Sequence, residues 1–438
     1  MARRREFHIL LMAAIVLLLV FSGALWAQGN SDNAFERVRE VQERHTEKLM
    51  AKDGVAGTAV GLGSNGTRAI LVLLERSDVP EIPANLEGVP VQSVVTGAFH
   101  ALSSKLAQPR KPSKPSRDKT PPTVPTGLTT TTITSTAIGL DWNDNSDADL
   151  SYYNVYRSTF EAGPYGRVAS NVIASEYNDG GLAPLVTYYY AITAVDTAGN
   201  ESAKSGVVSA TTLDGPMPEL WCKRPVPIGV STGHPNITAG TIGCRVTKNG
   251  AVYALSNNHV YADENRAAIG DNVLQPGVYD EGVNPRDAIG TLAQFKSIVF
   301  SRQASNTIDA AIALCSVDTL GSGTPNGGYG TPSRTLTTAT LDMHVKKYGR
   351  TTGLTHGQVY ALNAIINVGY DAGTARFVNQ IVITPGDFSA GGDSGSLIVT
   401  DDTTNSPVAL LFAGSSLYTI ANPIGAVVDY FGVAIDGK

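Results

Sequence analysis

The chain has 438 residues, of which 42% are hydrophobic and 16% are charged, and it contains 45 glycines. At roughly 100–200 residues per domain this length excludes a single ordinary domain, and the low charge with frequent glycine is typical of β-rich exported proteins rather than helical bundles. The formal net charge of −6 does not favour nucleic-acid binding, which needs a basic surface.

Residues 1–27 have the three-part layout of a secretory signal: Arg3 to Arg5, an apolar run, and small residues at Ala24 and Ala27. This layout predicts export, cleavage after one of the two alanines, and a secreted, periplasmic or cell-envelope location. The alternative is an uncleaved signal anchor, because the apolar run approaches the length of a short membrane span. Membrane contact is expected only in that case.

Residues 29–105 are predicted to form a small α+β module. An amphipathic helix over 31–52 is followed by the strand-like runs "VAGTAVGLG" and "AILVLLE", joined by "SNGTR", whose Asn-Gly suits a hairpin turn. The next segment, 106–120, combines repeated proline with lysine and arginine, which predicts an extended, exposed linker. Its position before this linker makes the module a candidate propeptide, released by cleavage in the linker.

Residues 121–213 alternate short strands with turn residues, the pattern of a β-sandwich. "PPTVPTGL", Trp142 in "LDWND", "YNVYRS", "GLAPLVTYYYAITAVDTAGNES" and "SATT" resemble a fibronectin type III domain. The resemblance implies a spacer or a binding module whose ligand would be an extracellular or envelope component. We interpret the aromatic residues as sandwich core rather than as a ligand site.

Residues 219–438 contain short apolar runs broken by Gly, Asn, Asp and Pro, which predicts an all-β double barrel or sandwich. Near the end, "GGDSGSLIV" (391–399) surrounds Ser394 with small residues. The simple interpretation is a tight turn. The functional one is a serine nucleophile on a loop whose backbone N–H groups can reach a substrate oxyanion, and such a serine needs a histidine base nearby.

His259 is the favoured base, because "ALSNNHV" presents it at the end of an apolar strand. Asp309 is the favoured acid: it heads the apolar strand "DAAIAL", where a carboxylate would be costly without a partner. His356 and Asp287 are the competitors. His234, in "TGHPN", is expected in a surface turn.

The order His259, Asp309, Ser394 and the motifs "LSNNHV", "DAAIAL" and "GGDSGS" resemble chymotrypsin-like serine proteases. "YGRTTGLTHGQVYALNAIINV" is similar to the bacterial streptogrisin and α-lytic protease type, and the resemblance covers about residues 225–436. It implies a double β-barrel and an acyl-enzyme mechanism, with Ser394 as nucleophile, His259 as base and then acid, and Asp309 as orienting acid. It also places His356 in a structural loop.

The resemblance further assigns the backbone N–H groups of Gly392 and Ser394 to an oxyanion hole. No "IVGG"-like sequence follows a cleavable basic residue, so Asp393 would need an internal cation, and Arg350 in "GRTTG" is the candidate. The floor of the specificity pocket falls on "DFSAGG", with no acid at the aligned position. A small or apolar residue is therefore expected before the scissile bond.

Three cysteines are present: Cys222, Cys244 and Cys315. Export permits a disulfide, and Cys222–Cys244 is the favoured pair, but three cysteines leave one over and the alternative is three buried thiols. No Cys/His spacing is typical of a metal site. Neither a metal nor a cofactor is expected.

The sequence thus predicts a mainly β chain in which a chymotrypsin-like double barrel follows a fibronectin type III sandwich and a small α+β module. The predicted function is an exported serine endopeptidase acting on proteins or peptides. The alternative is a non-catalytic cell-surface or matrix-binding protein with the protease fold as scaffold. A third candidate is an esterase; no "GxSxG" elbow supports its α/β-hydrolase version.

Overall fold

The computed structural model describes residues 33–102, 119–133, 137–172, 174–180, 182, 185–213 and 222–438. The predicted signal at 1–27 and most of the predicted linker at 106–120 lie outside these ranges. The described part of the chain is mainly β. No helix in it combines the length and the apolar character needed to cross a membrane.

The N-terminal part consists of helix α1 (33–50) and strands β1 (Val55–Leu62), β2 (Arg68–Leu74), β3 (Asn85–Leu86), β4 (Val89–Val95) and β5 (Phe99–Ala101). The predicted amphipathic helix is confirmed, since Val38, Val41 and Leu49 are buried against the strands. The predicted hairpin is confirmed as well. β1 and β2 pair antiparallel, and Gly66 in their turn has a φ of 73°, which glycine adopts without steric cost.

The middle part is a two-sheet sandwich of β6 (Thr129–Ile133), β7 (Ala137–Asp141), β8 (Leu150–Ser158), β9 (Gly166–Val172), β10 (Glu176–Gly180), β11 (Thr187–Asp196) and β12 (Val208–Thr211). One sheet has the order β10-β7-β6 and the other β12-β11-β8-β9. Trp142 and Tyr153 are buried between them with ring centroids 5.3 Å apart, edge to face. Trp142, Tyr153, Tyr188 and Tyr190 belong to the core, as predicted, whereas Phe160 is exposed.

The C-terminal part begins with β13 (Ser231–Thr232), β14 (Gly240–Thr241), β15 (Cys244–Lys248), β16 (Ala251–Ser256), helix α2 (Asn258–Tyr261), β17 (Asn272–Leu274), β18 (Ala288–Phe295) and β19 (Ala311–Cys315). It continues with β20 (His344–Gly349), β21 (Gly353–Tyr370), β22 (Gly373–Thr384), β23 (Leu397–Thr400), β24 (Pro407–Gly414), β25 (Thr419–Pro423), helix α3 (Ile424–Phe431) and β26 (Ala434–Ile435). One six-stranded sheet has the order β17-β18-β19-β16-β15-β26, and β20 to β25 pair in a second sheet.

The N-terminal strands join this second sheet. β1 pairs antiparallel with β21, so the sheet has 11 strands and runs from the protease-like part into the N-terminal part. β5 pairs parallel with β21 and antiparallel with β24. The sequence predicted a module of its own and gave no sign of this pairing, because strands about 300 residues apart leave no local pattern.

The predicted Cys222–Cys244 disulfide is wrong: all three cysteines are thiols. Cys244 begins β15 with its side chain fully buried in the barrel core, and Cys222 packs at the edge of the same cluster. Burial raises the pKa of the Cys244 thiol and raises that of Cys315 to about 11, because a thiolate is poorly solvated there.

Candidate active site

His259 and Asp309 are brought together at one edge of the six-stranded sheet, where β16 ends and β19 begins. His259 lies in α2 directly after β16, and Asp309 lies just before β19, which pairs with β16. His259 Nδ1 is 2.6 Å from Asp309 Oδ2, and both side chains are fully buried. The Asp309 carboxylate is therefore placed to orient the imidazole with Nε2 directed away from it.

The Asp309 carboxylate accepts three further hydrogen bonds. The backbone N–H groups of Asn258 and His259 donate to Oδ1 at 2.7 and 3.3 Å, and the Tyr370 hydroxyl donates to Oδ2 at 2.8 Å. The Tyr370 ring also meets the His259 ring edge to face, with centroids 5.9 Å apart. The buried charge is thus well satisfied, as a carboxylate out of water requires.

Ser394 lies in the loop before β23, next to the segment that carries His259. Its carbonyl accepts from Thr241 N–H at 2.7 Å, and a Cβ on the following Gly395, whose φ is 94°, would overlap Ser256 Oγ. The Ser394 hydroxyl donates to Phe412 O at 3.3 Å. Within the described part of the chain, the buried His259 Nε2 has no hydrogen-bond partner. The Ser394 hydroxyl and His259 Nε2 are therefore not hydrogen-bonded to each other.

The partner of Asp393 is Lys347, and the predicted partner Arg350 is wrong. Lys347 points inward from β20, with its Nζ 3.4 Å from Asp393 Oδ2 and both side chains fully buried. Burial lowers the pKa of the Lys347 ammonium, against the opposing effect of the Asp393 charge. Arg350 follows β20 and turns away, so that its guanidinium binds the carboxylate of Asp280.

Asp393 also accepts four hydrogen bonds from its surroundings. Thr351 N–H and Thr352 N–H donate to Oδ1 at 2.8 and 3.2 Å, and the Thr352 hydroxyl and Ala390 N–H donate to Oδ2 at 2.7 and 3.0 Å. These bonds tie the loop before Ser394 to the turn after β20. The loop conformation is therefore held from inside the domain.

The backbone of Leu102 lies beside the loop of Ser394. Gly392 N–H, a predicted oxyanion-hole donor, donates to Leu102 O at 2.7 Å, and Leu102 N–H donates to Phe412 O at 3.2 Å. Gly392 has a φ of 96°, and a Cβ there would lie 2.5 Å from Thr351 Oγ1. A side chain at this position would thus disturb the loop whose amide meets the Leu102 carbonyl.

The segment predicted to form the pocket floor contains buried and exposed residues. Phe388 is fully buried, Ser389 is buried with its hydroxyl 2.6 Å from Thr419 Oγ1, and Asp387 is exposed. Phe388 belongs to a buried cluster with Val345, Ile383 and Ile398.

The competing candidates lie elsewhere. His356 is on β21, 58% exposed, with Nδ1 2.8 Å from Asp401, and the Asp287 carboxylate is bound by Arg286. His234 is buried rather than in a surface turn, because its ring bonds Asp271 and the N–H of Asn236.

Sequence reasoning missed Tyr370, Lys347 and Leu102. Lys347 had a usable signal, because it is a charged residue on the inward side of the alternating strand "HVKKYG". Tyr370 stands at the end of a long strand and Leu102 precedes the linker, and neither position carries a local pattern. Their partners are distant in the sequence.

No protein-family model matches the chain. Curated relatives match a short part of it: a poly(3-hydroxybutyrate) depolymerase from Ralstonia pickettii is 42% identical over 86 residues, 20% of this chain and 16% of that protein. Exoglucanase B from Cellulomonas fimi is 40% identical over 89 residues, 20% of this chain and 8% of that protein. The chain therefore spans less than a fifth of the length of either relative.

Solved structures cover more of it. A glutamic-acid-specific serine protease is 22% identical and covers 48% of this chain and 100% of its own, with a TM-score of 0.35. Thermobifida fusca protease A is 19% identical and covers 49% of this chain and 100% of its own, with a TM-score of 0.34. A fibronectin-type-III-like protein from Clostridium thermocellum is 31% identical over 22% of this chain and 99% of its own, with a TM-score of 0.19. Because these TM-scores are low, any inference about the reaction is drawn from the geometry of the site alone. The chain resembles bacterial chymotrypsin-like serine proteases over about half of its length and fibronectin type III domains over about a fifth.

Proposed function

We propose that the chain is an exported serine endopeptidase that hydrolyses peptide bonds through His259, Asp309 and Ser394. The observation that carries the proposal is the buried 2.6 Å contact of His259 Nδ1 with Asp309, next to the loop of Ser394. An acid that fixes the histidine tautomer leaves Nε2 as the base for a serine hydroxyl.

In the proposed mechanism, Ser394 Oγ turns from Phe412 O toward His259 Nε2 and attacks the substrate carbonyl carbon while Nε2 takes its proton. Asp309 stabilises the resulting imidazolium, and the N–H groups of Gly392 and Ser394 stabilise the oxyanion. His259 then protonates the leaving amine, and water hydrolyses the Ser394 ester. Donors that hold Asp309 in place, Tyr370 among them, keep its charge fixed throughout the cycle.

The accessory parts complete the proposal. Residues 1–27 would direct export, and the N-terminal module would act as a propeptide, because its strand β5 pairs with β24 and the following Leu102 carbonyl accepts from Gly392 N–H. The fibronectin type III part would be a spacer or a binding module for an extracellular or envelope ligand. It approaches the protease part where Ser416 Oγ donates to Glu176 Oε1 at 3.1 Å.

The test is labelling of the purified protein with a fluorophosphonate probe. We expect labelling of the processed wild type and none of Ser394→Ala or His259→Ala, because an unactivated serine is a weak nucleophile. His356→Ala is the matched control, since this histidine is exposed and lies outside the site. Equal labelling of His259→Ala and wild type would contradict the proposal, as would absence of labelling in a folded, processed wild type.

A further inference from the structure

We propose that Glu264 is a positioning residue of the candidate active site, which acts by holding the hairpin that places the Tyr370 hydroxyl on Asp309. The inference rests on the proposed serine endopeptidase function and deepens it. It adds a residue outside the proposed triad that controls the surroundings of the triad's acid.

The tip of the β21–β22 hairpin is bound by the Glu264 carboxylate. β21 ends at Tyr370 and β22 begins at Gly373, so two residues form the turn between them. Asp371 N–H donates to Glu264 Oε1 at 3.2 Å, and Ala372 N–H donates to Oε2 at 2.8 Å. One carboxylate thus accepts from both N–H groups of the turn, and such charge-assisted bonds are about twice as strong as neutral ones.

The Glu264 carboxylate is buried and depends on these two donors. Its side chain is 3% exposed. The guanidinium of Arg266 is 3.8 Å away and its side chain is 47% exposed, which makes it a weak counter-charge. A carboxylate removed from water needs hydrogen-bond donors in place of the water it has lost, and the hairpin tip supplies them.

Glu264 is the middle one of three successive residues with left-handed backbone. Asp263, Glu264 and Asn265 have φ values of 46°, 56° and 74°. Residues other than glycine adopt this region at a cost in free energy, and such strain is concentrated at functional sites. A run of three persists only where contacts with the rest of the fold compensate for that cost.

These contacts join the run to the segment that carries His259. Asn258 Nδ2 donates to Asn265 Oδ1 at 2.8 Å, and Asn265 N–H donates to Asn258 Oδ1 at 3.1 Å. Asn265 also exchanges two hydrogen bonds with the backbone of Ile298, at 2.8 and 2.9 Å. Because Asn258 directly precedes His259, the loop of Glu264 is fixed to the catalytic segment.

Two routes therefore connect the loop of Glu264 with Asp309. One runs through Asn258, whose N–H donates to Asp309 Oδ1 at 2.7 Å. The other runs through the hairpin tip to Tyr370, whose hydroxyl donates to Asp309 Oδ2 at 2.8 Å. Loss of the Glu264 carboxylate would release the second route and leave the first in place.

Tyr370 is a lasting donor in this arrangement. Burial raises the pKa of its hydroxyl well above the ordinary value, and the charges of Asp309 and Glu264 add to the effect, so the hydroxyl keeps its proton. The Tyr370 ring meets the rings of His259 and Phe300 edge to face, with centroids 5.9 and 5.7 Å away. A shift of the hairpin tip would thus be felt by both the acid and the base.

The test measures the rate of fluorophosphonate labelling in five forms of the purified exported protein. They are wild type, Glu264→Gly, Tyr370→Phe, the double variant Glu264→Gly/Tyr370→Phe, and Glu281→Gly. Glycine adopts left-handed backbone without steric cost, so Glu264→Gly removes the carboxylate and spares the loop conformation. Glu281 is the matched control, because it is an exposed glutamate with a φ of 68°.

We expect Glu264→Gly to lower the maximal labelling rate about tenfold, the loss expected when Asp309 loses the Tyr370 hydroxyl. The half-saturating probe concentration should change little, because Glu264 acts on the acid and not on the bound probe. In the Tyr370→Phe background the same substitution should cost less than about threefold, since residues that act through one another are not additive. Glu281→Gly should label as wild type does.

A second series replaces Glu264→Gly by Glu264→Gln in the same cycle. Glutamine keeps the size of the side chain, so this series tests the inference even if the glycine variant does not fold. Its carboxamide oxygen can accept from one turn N–H, but its NH2 group cannot accept from the other. We expect a labelling rate between those of wild type and Tyr370→Phe, and faster hydrogen exchange in a peptide spanning 366–375.

Three outcomes are decisive. Equal rate losses from the Glu264 substitutions in the two backgrounds would show a merely structural role and overturn the inference. Folded Glu264 variants that label at the wild-type rate would overturn it as well. Both results leave the proposed function standing, because wild type still labels at Ser394. A folded, processed wild type that does not label would overturn the proposed function and the inference together.

Discussion

At the scale of single residues, the site depends on two buried carboxylates that are satisfied in different ways. Asp309 is hydrogen-bonded to His259 Nδ1 at 2.6 Å and held by further donors, among them Tyr370. Asp393 pairs with Lys347, whose Nζ lies 3.4 Å from Asp393 Oδ2. The Asp309 arrangement gives a prediction about kcat/KM, and the Asp393 arrangement gives a prediction about the free energy of unfolding.

Tyr370→Phe should lower kcat/KM about tenfold, because a hydrogen bond to a charged group contributes about 1.5 kcal/mol and this one holds the Asp309 carboxylate. The effect should appear mainly in kcat, since Tyr370 acts through Asp309. Peptide hydrolysis measured from pH 6 to 9 checks it, with the exposed Tyr430→Phe as control. An unchanged kcat in Tyr370→Phe would show that the other donors suffice.

Lys347→Met should lower the free energy of unfolding by about 3 kcal/mol, because it leaves the buried Asp393 carboxylate without a counter-charge. The double variant Lys347→Met/Asp393→Asn should lose less than Lys347→Met alone, since the charge itself is then gone. Urea unfolding of the three proteins measures both values. A double variant that is less stable than Lys347→Met would show that the carboxylate is stabilised by its hydrogen bonds alone.

At the scale of elements, the N-terminal part depends on the close approach of β1 and β21. Gly57 lies opposite Ile366 in this pairing, and a Cβ there would lie 2.6 Å from Ile366 Cγ2 and overlap the carbonyl of Ile365. Gln42 adds a buried link, donating to Thr58 Oγ1 and to Asn363 O at 3.0 Å each. These contacts help to hold β5, which follows later in the chain, against β21 and β24.

Gly57→Ala should separate β1 from β21 and speed amide hydrogen exchange in both strands, while the sandwich strands keep their protection. Gly63→Ala is the control, because a Cβ there would make only ordinary contacts of 3.4 Å or more. Hydrogen exchange followed by mass spectrometry gives the comparison. Equal protection in the two variants would mean that β1 accommodates the methyl group by shifting.

At the scale of the whole molecule, buried tyrosines should make the fold sensitive to alkali. Burial raises the pKa of Tyr190, Tyr261 and Tyr370 above the ordinary value near 10. Above pH 10 the folded protein then binds more protons than the unfolded chain, so its free energy of unfolding falls as pH rises. The lowered pKa of Lys347 makes the free energy of unfolding rise with pH. This single group is outweighed by the three tyrosines.

We therefore expect urea midpoints to fall between pH 9 and pH 11, with the absorbance of ionised tyrosine rising together with unfolding. Salt at 0.15 M throughout controls for long-range charge effects. A midpoint that is constant or higher at pH 11 would contradict the expectation.

What could be predicted from the sequence follows the range of the interactions involved. The helix over 33–50, the β1–β2 hairpin and the aromatic sandwich core depend on local periodicity and turn residues, and all agree with the structure. The positions of His259 and Asp309 were predictable because His259 follows an apolar strand and Asp309 precedes one. Arg350 was the wrong cation for Asp393 because the choice between Lys347 on β20 and Arg350 in the turn after it depends on where each side chain points in the folded chain.

The sequence alone determined that the chain is mainly β, that a sandwich precedes a protease-like part, and which histidine, aspartate and serine are the candidates. Only the tertiary structure decided that β1 pairs with β21 and that Lys347 is the partner of Asp393. It also decided that the Tyr370 hydroxyl donates to Asp309 and that Gly392 N–H donates to the Leu102 carbonyl. The physical reason is the same each time. Local patterns report the conformation and burial of neighbouring residues, whereas these contacts join residues from different strands or loops, and only the folded chain brings them within hydrogen-bond distance.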